Sequence, residues 1–231
     1  PDVNVMGVQS SGFYFLTLNT QSELLSDVNI RKAIQLCIDR QEVIDGGQDG
    51  LGWVTPCPIT PGIFGYPEDF VGTQANVEEA KALLAEAGYP DGITIQFITP
   101  ESSYYSRPAQ VVQEQLRRAG INAELTMMER GAFDTDLSNR NFEMSYSWIG
   151  CSYPDADNIV YRLFHSQYAN STGQTNMANI VNEEADRLVE EARKSTDSAE
   201  REALYLELCE LNDENAWYIP ILTSTNTVTA S

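Results

Sequence analysis

The chain has 231 residues, of which 42% are hydrophobic, which is enough to bury a sizeable core and argues against a disordered protein. It carries 34 acidic and 14 basic residues, for a formal net charge of -20. This charge argues against a nucleic acid backbone as partner and favours solubility. No apolar run approaches the roughly 20 residues that a membrane-spanning helix needs.

The N-terminal third predicts a strand, a helix and a long loop. The apolar run from Phe13 to Asn19 is typical of a buried strand. Asp27 then predicts the N-cap of a helix that runs through about Ile44, because apolar residues recur at helical spacing after it. The stretch from Gly46 to Gly65 is rich in Gly and Pro and predicts a loop, and loops of this length within a domain are often functional.

The middle of the chain predicts a βαβ unit. Asn76, with Glu79 three residues on, forms a capping-box pattern at the start of a helix. Apolar and polar residues alternate from Ile93 to Phe97, and helical spacing follows from about Pro108. The alternation resumes at Ile121. A strand, a helix and a strand within this length predict two parallel strands joined by a right-handed crossover.

The C-terminal half predicts a strand, three helices and a last strand. Apolar residues share one face of a strand that ends near Trp148. Helices are indicated around 159–164, from about Glu183 and from Asp197. A final strand begins at Trp217 and is interrupted by Pro220, which favours an edge strand or a chain exit. The alternation of strands and helices indicates an α/β fold.

The cysteines do not indicate a metal site. There are four of them, with no CxxC pair and a lone His165, so we expect neither zinc nor another cofactor. Cys37 and Cys209 lie on apolar stripes of predicted helices, where cysteine behaves as a small hydrophobe. Cys57 and Cys151 fall in predicted loops and are either free thiols or a disulfide.

Seven segments in chain order carry a family resemblance: YFLTLNTQ (Tyr14 to Gln21), DVNIRKAIQLCIDRQEVID (Asp27 to Asp45), TPCPITPGIFGY (Thr55 to Tyr66), NVEEAKALLAEAGYPDG (Asn76 to Gly92), FEMSYSWIGCSYPDADN (Phe142 to Asn158), NEEADRLVEEARKSTDSAERE (Asn182 to Glu202) and ENAWYIPI (Glu214 to Ile221). Together they resemble the C-terminal lobe of the family 5 solute-binding proteins of ABC transporters, the dipeptide-, oligopeptide- and nickel-binding group.

The resemblance implies a mixed sheet flanked by helices, one lobe of a type II periplasmic-binding-protein-like fold. Residues 1–231 would form this single C-terminal lobe without the N-terminal lobe, and 1–20 and 217–231 would be the hinge strands between lobes. The implied function is extracytoplasmic, in the periplasm or on a cell-surface lipoprotein. There the protein would capture a peptide-like or other small organic solute and deliver it to the membrane permease of an ABC importer. We expect a monomer and no catalysis, with the signal segment outside this sequence.

The resemblance also implies the site. In relatives the loop after the strand that ends near Trp148 faces the cleft between lobes, and here the implied ligand-binding residues are Trp148, Cys151, Ser152, Tyr153 and Asp155. In the peptide binders an Asp of this loop pairs with the ligand's α-amino group, but this chain has Cys151 and Ser152 at that place. Either Asp155 replaces the missing carboxylate, or the ligand is not a free-amine peptide but a sugar, a glycoside, an opine-like compound or a metal chelate.

Other interpretations of the same residues stay open. Trp148 either presents a ligand platform or belongs to the core. The loop from Thr55 to Tyr66 either borders the cleft or lies on the surface. Asp155 and Asp157 could serve a hydrolase, although no nucleophile with an adjacent base accompanies them, and Asp157 could instead cap the following helix. A protein-interaction module that reuses the fold is a further alternative.

Overall fold

A computed structural model describes residues 4–171, 173 and 175–230. Residues 1–3 and 231 of the predicted hinge segments lie outside this range. Within it the chain forms seven strands: β1 (Asn4–Gln9), β2 (Gly12–Leu18), β3 (Gly52–Val54), β4 (Ile93–Pro100), β5 (Ile121–Met128), β6 (Met144–Gly150) and β7 (Tyr218–Ala230). It also forms eight α-helices: α1 (Val28–Leu36), α2 (Arg40–Gly47), α3 (Val77–Glu86), α4 (Ser103–Arg118), α5 (Arg130–Asn139), α6 (Asp157–Phe164), α7 (Glu183–Lys194) and α8 (Ser198–Asn215).

The strands form one mixed sheet, as predicted. Its order is β1-β7-β2-β6-β4-β5, and β3 pairs with β7 off this path. β4 runs parallel to both β5 and β6, whereas β2 runs antiparallel to β6 and to β7. The predicted parallel pair of strands is therefore confirmed, with Ile93 opposite Ile121.

Each face of the sheet packs on its own layer of helices. Alternate residues of a strand point to opposite faces, and in β2 Leu16 and Leu18 join one apolar cluster while Phe13 and Phe15 join the other. The first cluster contains side chains of α1, α2, α3 and α4, and the second contains side chains of α5, α6, α7 and α8. The sheet is therefore flanked by helices on both faces.

The predicted helix from Asp27 to Ile44 is two helices. Asp27 caps α1 by accepting a hydrogen bond of 2.8 Å from the backbone of Asn29, as predicted. Asp39 then caps α2 by accepting one of 3.0 Å from the backbone of Glu42. The apolar spacing continues across the break because both helices pack on the same core.

Helix α4 begins at Ser103, five residues before the predicted start at Pro108, so the proline lies inside the helix. A proline nitrogen cannot donate to the carbonyl four residues back, here that of Tyr104. The side chain of Gln48 donates to that carbonyl at 3.0 Å instead. The helix thus keeps a proline after its first turn because a neighbouring loop satisfies the freed oxygen.

Pro220 does not mark an edge strand. β7 lies between β2 and β3, and Pro220 is opposite Phe15 where the register between β2 and β7 shifts. Such an irregularity tolerates a residue without an N–H group. Within the described residues, no helix is both long and apolar enough to cross a bilayer.

Candidate functional site

Three strand-to-helix connections meet at one edge of the sheet. Because β4, β5 and β6 are parallel, their carboxyl ends lie together. The connections at this carboxyl edge are residues 101–102 before α4, Glu129 before α5 and residues 151–156 before α6. Ligands of open α/β sheets bind outside the carboxyl ends of the strands. The carboxyl edge is therefore the candidate site, and the 151–156 connection is called the site loop below.

Trp148 lies at the carboxyl edge on a floor of two glycines. Gly12 and Gly150 are opposite each other in β2 and β6. A Cβ atom added to Gly12 would lie 2.6 Å from the indole, and one added to Gly150 would lie 2.4 Å from it. The ring covers these backbones at close range and is 39% exposed. Such an arrangement leaves part of the indole accessible at the edge of the sheet.

Hydrogen bonds from neighbouring segments hold the start of the site loop. The backbone N–H of Cys151 donates to the carbonyl of Ser11 at 3.2 Å. The backbone N–H of Ser152 donates to the side chain of Asn158 at 2.8 Å. Ser152 and Tyr153 are both exposed, Tyr153 to 48%. The loop therefore presents a hydroxyl and an aromatic ring at the carboxyl edge.

Asp155 is engaged by the protein itself. Its carboxylate accepts a hydrogen bond of 2.7 Å from Arg201 on α8 and one of 2.9 Å from the backbone N–H of Asp157. Burial by itself would raise the pKa of Asp155. The pKa nevertheless lies below its ordinary value, because the carboxylate is stabilised by these bonds, by the charge of Arg201 and by a bond from Tyr205. Asp155 is thus an ionised residue that fixes the site loop to α8.

Asp157 is held in the same way. Arg193 on α7 donates to its two carboxylate oxygens at 2.9 and 2.8 Å, and the hydroxyl of Tyr153 approaches at 3.3 Å. Asp157 is the first residue of α6, and its own backbone N–H is capped by Asp155. The N-cap residue of α6 is Ala156, so the interpretation of Asp157 as the cap was wrong by one residue. Both carboxylates of the proposed hydrolase pair are bound by arginines.

The loop from Thr55 to Tyr66 borders the site loop. The backbone N–H of Phe64 donates to the carbonyl of Pro154, and the N–H of Ala156 donates to the carbonyl of Phe64. Thr55, Cys57, Ile59 and Thr60 are fully buried, so this segment is not a surface loop. It lines the back of the site loop and places the Phe64 ring under Arg201, at 4.7 Å from the guanidinium carbon.

All four cysteines are free thiols, so Cys57 and Cys151 are not joined as the sequence allowed. The thiol of Cys151 donates to the carbonyl of Tyr153 at 2.7 Å, within the site loop. Cys57 is fully buried, and its thiol donates to the carbonyl of Ile59 at 3.6 Å. Burial raises the pKa of the Cys151 thiol, which keeps it protonated and a poor nucleophile at neutral pH.

A groove of about 700 Å³ opens beside the first turn of α4. Tyr104, at 64% exposure, and Tyr14 lie along it. Arg107 and Asp49 also line it, and they pair with each other through bonds of 2.9 and 2.6 Å. Sequence reasoning missed these residues, although the position of Tyr104 just after a strand predicted to be parallel was a usable signal.

The structure brings the predicted site residues together in one loop and the strand before it. Trp148, Ser152 and Tyr153 are accessible, Cys151 is half-buried, and Asp155 is turned toward α8. Arg193 and Arg201 were not predicted, because each lies dozens of residues from its carboxylate in the sequence and no local pattern joins them. Among the described residues, no three His, Cys, Asp or Glu side chains converge as metal ligands.

Comparisons of this chain with a family model and with known proteins agree on one family. The family model for bacterial extracellular solute-binding proteins, family 5 middle, matches residues 1–171. Heme-binding protein A of Haemophilus influenzae is 26% identical over 227 residues, covering 96% of this chain and 41% of the relative. The oligopeptide-binding protein AppA of Bacillus subtilis is 27% identical over 230 residues, covering 90% of this chain and 41% of the relative.

A solved structure shares the fold. The ABC transporter-associated periplasmic binding protein DppA of Helicobacter pylori, in complex with the peptide STSA, superimposes with a TM-score of 0.92 at 27% identity. The alignment covers 99% of this chain and 44% of that protein. The chain thus spans less than half the length of each of these relatives.

Proposed function

Because this chain belongs to the family 5 bacterial extracellular solute-binding proteins, we propose that it forms one of two lobes that close on a small organic solute. The whole protein would work outside the cytoplasm, in the periplasm or at the cell surface, and deliver the solute to the permease of an ABC importer. The observation that carries this proposal is the accessible Trp148 and Tyr153 at the carboxyl edge, in a chain that covers 41–44% of its relatives.

The ends of the chain support a hinge. β1 and β7 pair antiparallel from Asn4 opposite Ala230 to Gln9 opposite Thr225. The segments 1–20 and 217–231 would therefore enter and leave the lobe side by side, and such a pair can bend as the lobes close. Closure would exclude water from the solute and create a shape that the permease recognises. On this proposal residues 1–231 are one lobe and the intact protein acts as a monomer.

The site loop suits a solute without a strong positive charge at this lobe. Asp155 and Asp157 are already neutralised by Arg201 and Arg193, and Ser152 carries no charge. Withdrawing either carboxylate from its arginine to bind a ligand ammonium would leave the arginine uncompensated. A peptide would therefore need its amino group bound by the other lobe. Sugars, glycosides and uncharged faces of chelates fit the exposed Trp148 and Tyr153 directly.

Catalysis has less support than binding. The relatives matched are named as binding proteins. The only carboxylates of the proposed hydrolase, Asp155 and Asp157, are paired with arginines, and Cys151 is a protonated thiol. None of these groups is prepared to act as a base or nucleophile. We therefore propose a binding protein that makes and breaks no bond.

A thermal-shift screen of the intact protein tests the proposal. A ligand that binds only the folded protein raises the melting temperature. The panel contains di- and oligopeptides, the same peptides with acetylated N-termini, oligosaccharides, and nickel chelates. A shift with acetylated peptides or sugars supports the proposed site, and a shift confined to free-amine peptides indicates an anchor on the other lobe. Turnover of any of these compounds, without a shift from its intact form, would contradict the binding role.

A further inference from the structure

Tyr153, the exposed aromatic residue of the site loop, is held by a hydrogen bond to the first residue of α6. Its hydroxyl donates to the carboxylate oxygen Oδ2 of Asp157 at 3.3 Å. A carboxylate oxygen only accepts, whereas a phenol can donate one proton and can also accept. The proton of Tyr153 is therefore used inside the protein, and its oxygen remains as an acceptor. Because 48% of Tyr153 is exposed, a solute can contact this side chain.

Arg193 fixes the carboxylate that accepts this bond. From α7, the Nε of Arg193 donates to Oδ1 of Asp157 at 2.9 Å, and its Nη2 donates to Oδ2 at 2.8 Å. Such a bidentate pair fixes the plane of the carboxylate as well as its distance. The oxygen that Tyr153 contacts is one of the two that the guanidinium binds. Asp157 therefore cannot turn away from Tyr153 without losing a bond to Arg193.

A second contact orients the guanidinium. The Cζ atom of Arg193 lies 3.3 Å from the centre of the Tyr161 ring, and a cation and an aromatic face attract each other at this range. Tyr161 lies one turn after Asp157 in the same helix, α6. Arg193 is thus held by a ring and a carboxylate of α6, and the position of its charge is fixed before any solute binds.

We propose that Arg193 is a positioning residue for solute binding, because through Asp157 it holds Tyr153 as a hydrogen-bond acceptor that selects a solute hydroxyl or N–H group. The inference rests on the proposed function and deepens it by naming the chemical group that the site loop prefers. A carboxylate or phosphate oxygen at the same place would leave the acceptor of Tyr153 unpaired. Holding the ring beforehand also lowers the cost of ordering it in the complex.

Fluorine NMR of the intact protein, labelled with 3-fluorotyrosine, tests the positioning without any solute. The signal that disappears in Tyr153→Phe is that of Tyr153. In Arg193→Met this signal should move toward its position in the unfolded protein, because Asp157 is no longer fixed. Arg187→Met is the matched control, since Arg187 lies on the same helix and pairs with Glu184. An unmoved signal in Arg193→Met, or equal movement in both variants, would overturn the proposal.

Calorimetric titration of the intact protein tests the selectivity. The probes are cellobiose, which offers hydroxyl donors, and the amide of N-acetyl-dialanine, which offers N–H donors. Arg193→Met and Tyr153→Phe should each weaken binding of the probe by about three- to tenfold. The double variant should bind no more weakly than either single variant. Losses that multiply in the double variant would contradict the positioning role, because they would assign the effect of Arg193 to the charge released on Asp157.

The two measurements separate this proposal from the proposed function. If the fluorine signal of Tyr153 moves as expected but neither probe binds the wild-type protein, Arg193 positions Tyr153 and the selection of a donor group is wrong. If a probe binds and the signal does not move, the protein binds solutes and the positioning role of Arg193 is wrong.

Discussion

Arg201 donates a hydrogen bond of 2.7 Å to Asp155, and this pair joins the site loop to helix α8. The same guanidinium lies over the ring of Phe64 and donates to the hydroxyl of Tyr205 at 2.7 Å. One arginine thus connects the loop after β6, the loop before α3 and α8. The position of the site loop depends on a residue that is not part of the carboxyl edge.

Replacing Arg201 should destabilise the protein. The Arg201→Met variant keeps much of the side-chain volume but leaves Asp155 without its cation, so we expect a loss of about 1–3 kcal/mol. Urea unfolding measures it. Arg187→Met is the control, because Arg187 pairs with Glu184 and Glu191 on the exposed surface of α7. Similar losses in the two variants would show that the Asp155 pair does not fix the loop.

The Asp155 pair should also leave a signature at acid pH. A carboxyl group whose pKa is lowered on folding contributes stability above its unfolded value, ordinarily 3.8, and loses that contribution as the pH falls through the folded value. The wild-type protein should have a higher free energy of unfolding than Asp155→Asn. This advantage should be constant from pH 7 to about 5 and shrink below about pH 4. Urea titrations across this range measure it, and an advantage that persists unchanged at pH 3 would refute the ion pair.

The floor beneath Trp148 can be probed with one methyl group. In Gly150→Ala the new Cβ would lie 2.4 Å from the indole, and the ring atoms of Trp148 are its nearest neighbours. We expect the ring to be displaced, with a changed tryptophan fluorescence and a loss of about 1–2 kcal/mol. The same change in a Trp148→Ala background should cost little. If Gly150→Ala lowers the free energy of unfolding by as much in the Trp148→Ala background, the new methyl group collides with a group other than the indole.

Helix α8 depends on its N-cap. The carboxylate of Asp197 accepts hydrogen bonds from the backbone of Ala199 at 2.9 Å and of Glu200 at 3.2 Å. Asp197→Ala should therefore cost about 1 kcal/mol in the free energy of unfolding. Glu202→Ala, an exposed change within the same helix, serves as the control. If both variants unfold at the same urea concentration as the wild type, the cap contributes nothing.

Local sequence patterns predicted most of the fold. Asn76 caps α3 as predicted, by accepting a hydrogen bond of 3.2 Å from the backbone of Glu79, because such a cap needs only residues three positions apart. The return bond of the predicted capping box is not formed, because Glu79 accepts from the side-chain amide of Asn76 at 3.0 Å and the Asn76 backbone N–H donates to the carbonyl of Leu36.

The errors arose where distant groups decide. Pro108 is tolerated inside α4 through Gln48, and Pro220 lies within the sheet at a register shift. Neither partner is recognisable from the residues around the proline.

The sequence predicted the segment that holds the candidate site residues better than it predicted the contacts of their side chains. Trp148, Ser152 and Tyr153 lie accessibly at the carboxyl edge, and their role as ligand-binding residues stays a prediction. Asp155 is bound by Arg201, 46 positions later in the chain. The sequence shows a carboxylate in a loop, but whether that carboxylate is available depends on the packing of α8 against the loop.

The most direct test of the account is calorimetric titration of the intact protein with the solute identified by the thermal-shift screen. If the carboxyl edge binds the solute, Trp148→Ala should weaken binding at least about tenfold. The control is Tyr89→Ala, which removes an aromatic of similar exposure, 37%, from the opposite edge of the sheet before β4 begins; its affinity should match the wild type. Unchanged affinity in Trp148→Ala, or an equal loss in both variants, would contradict a cleft at the carboxyl edge.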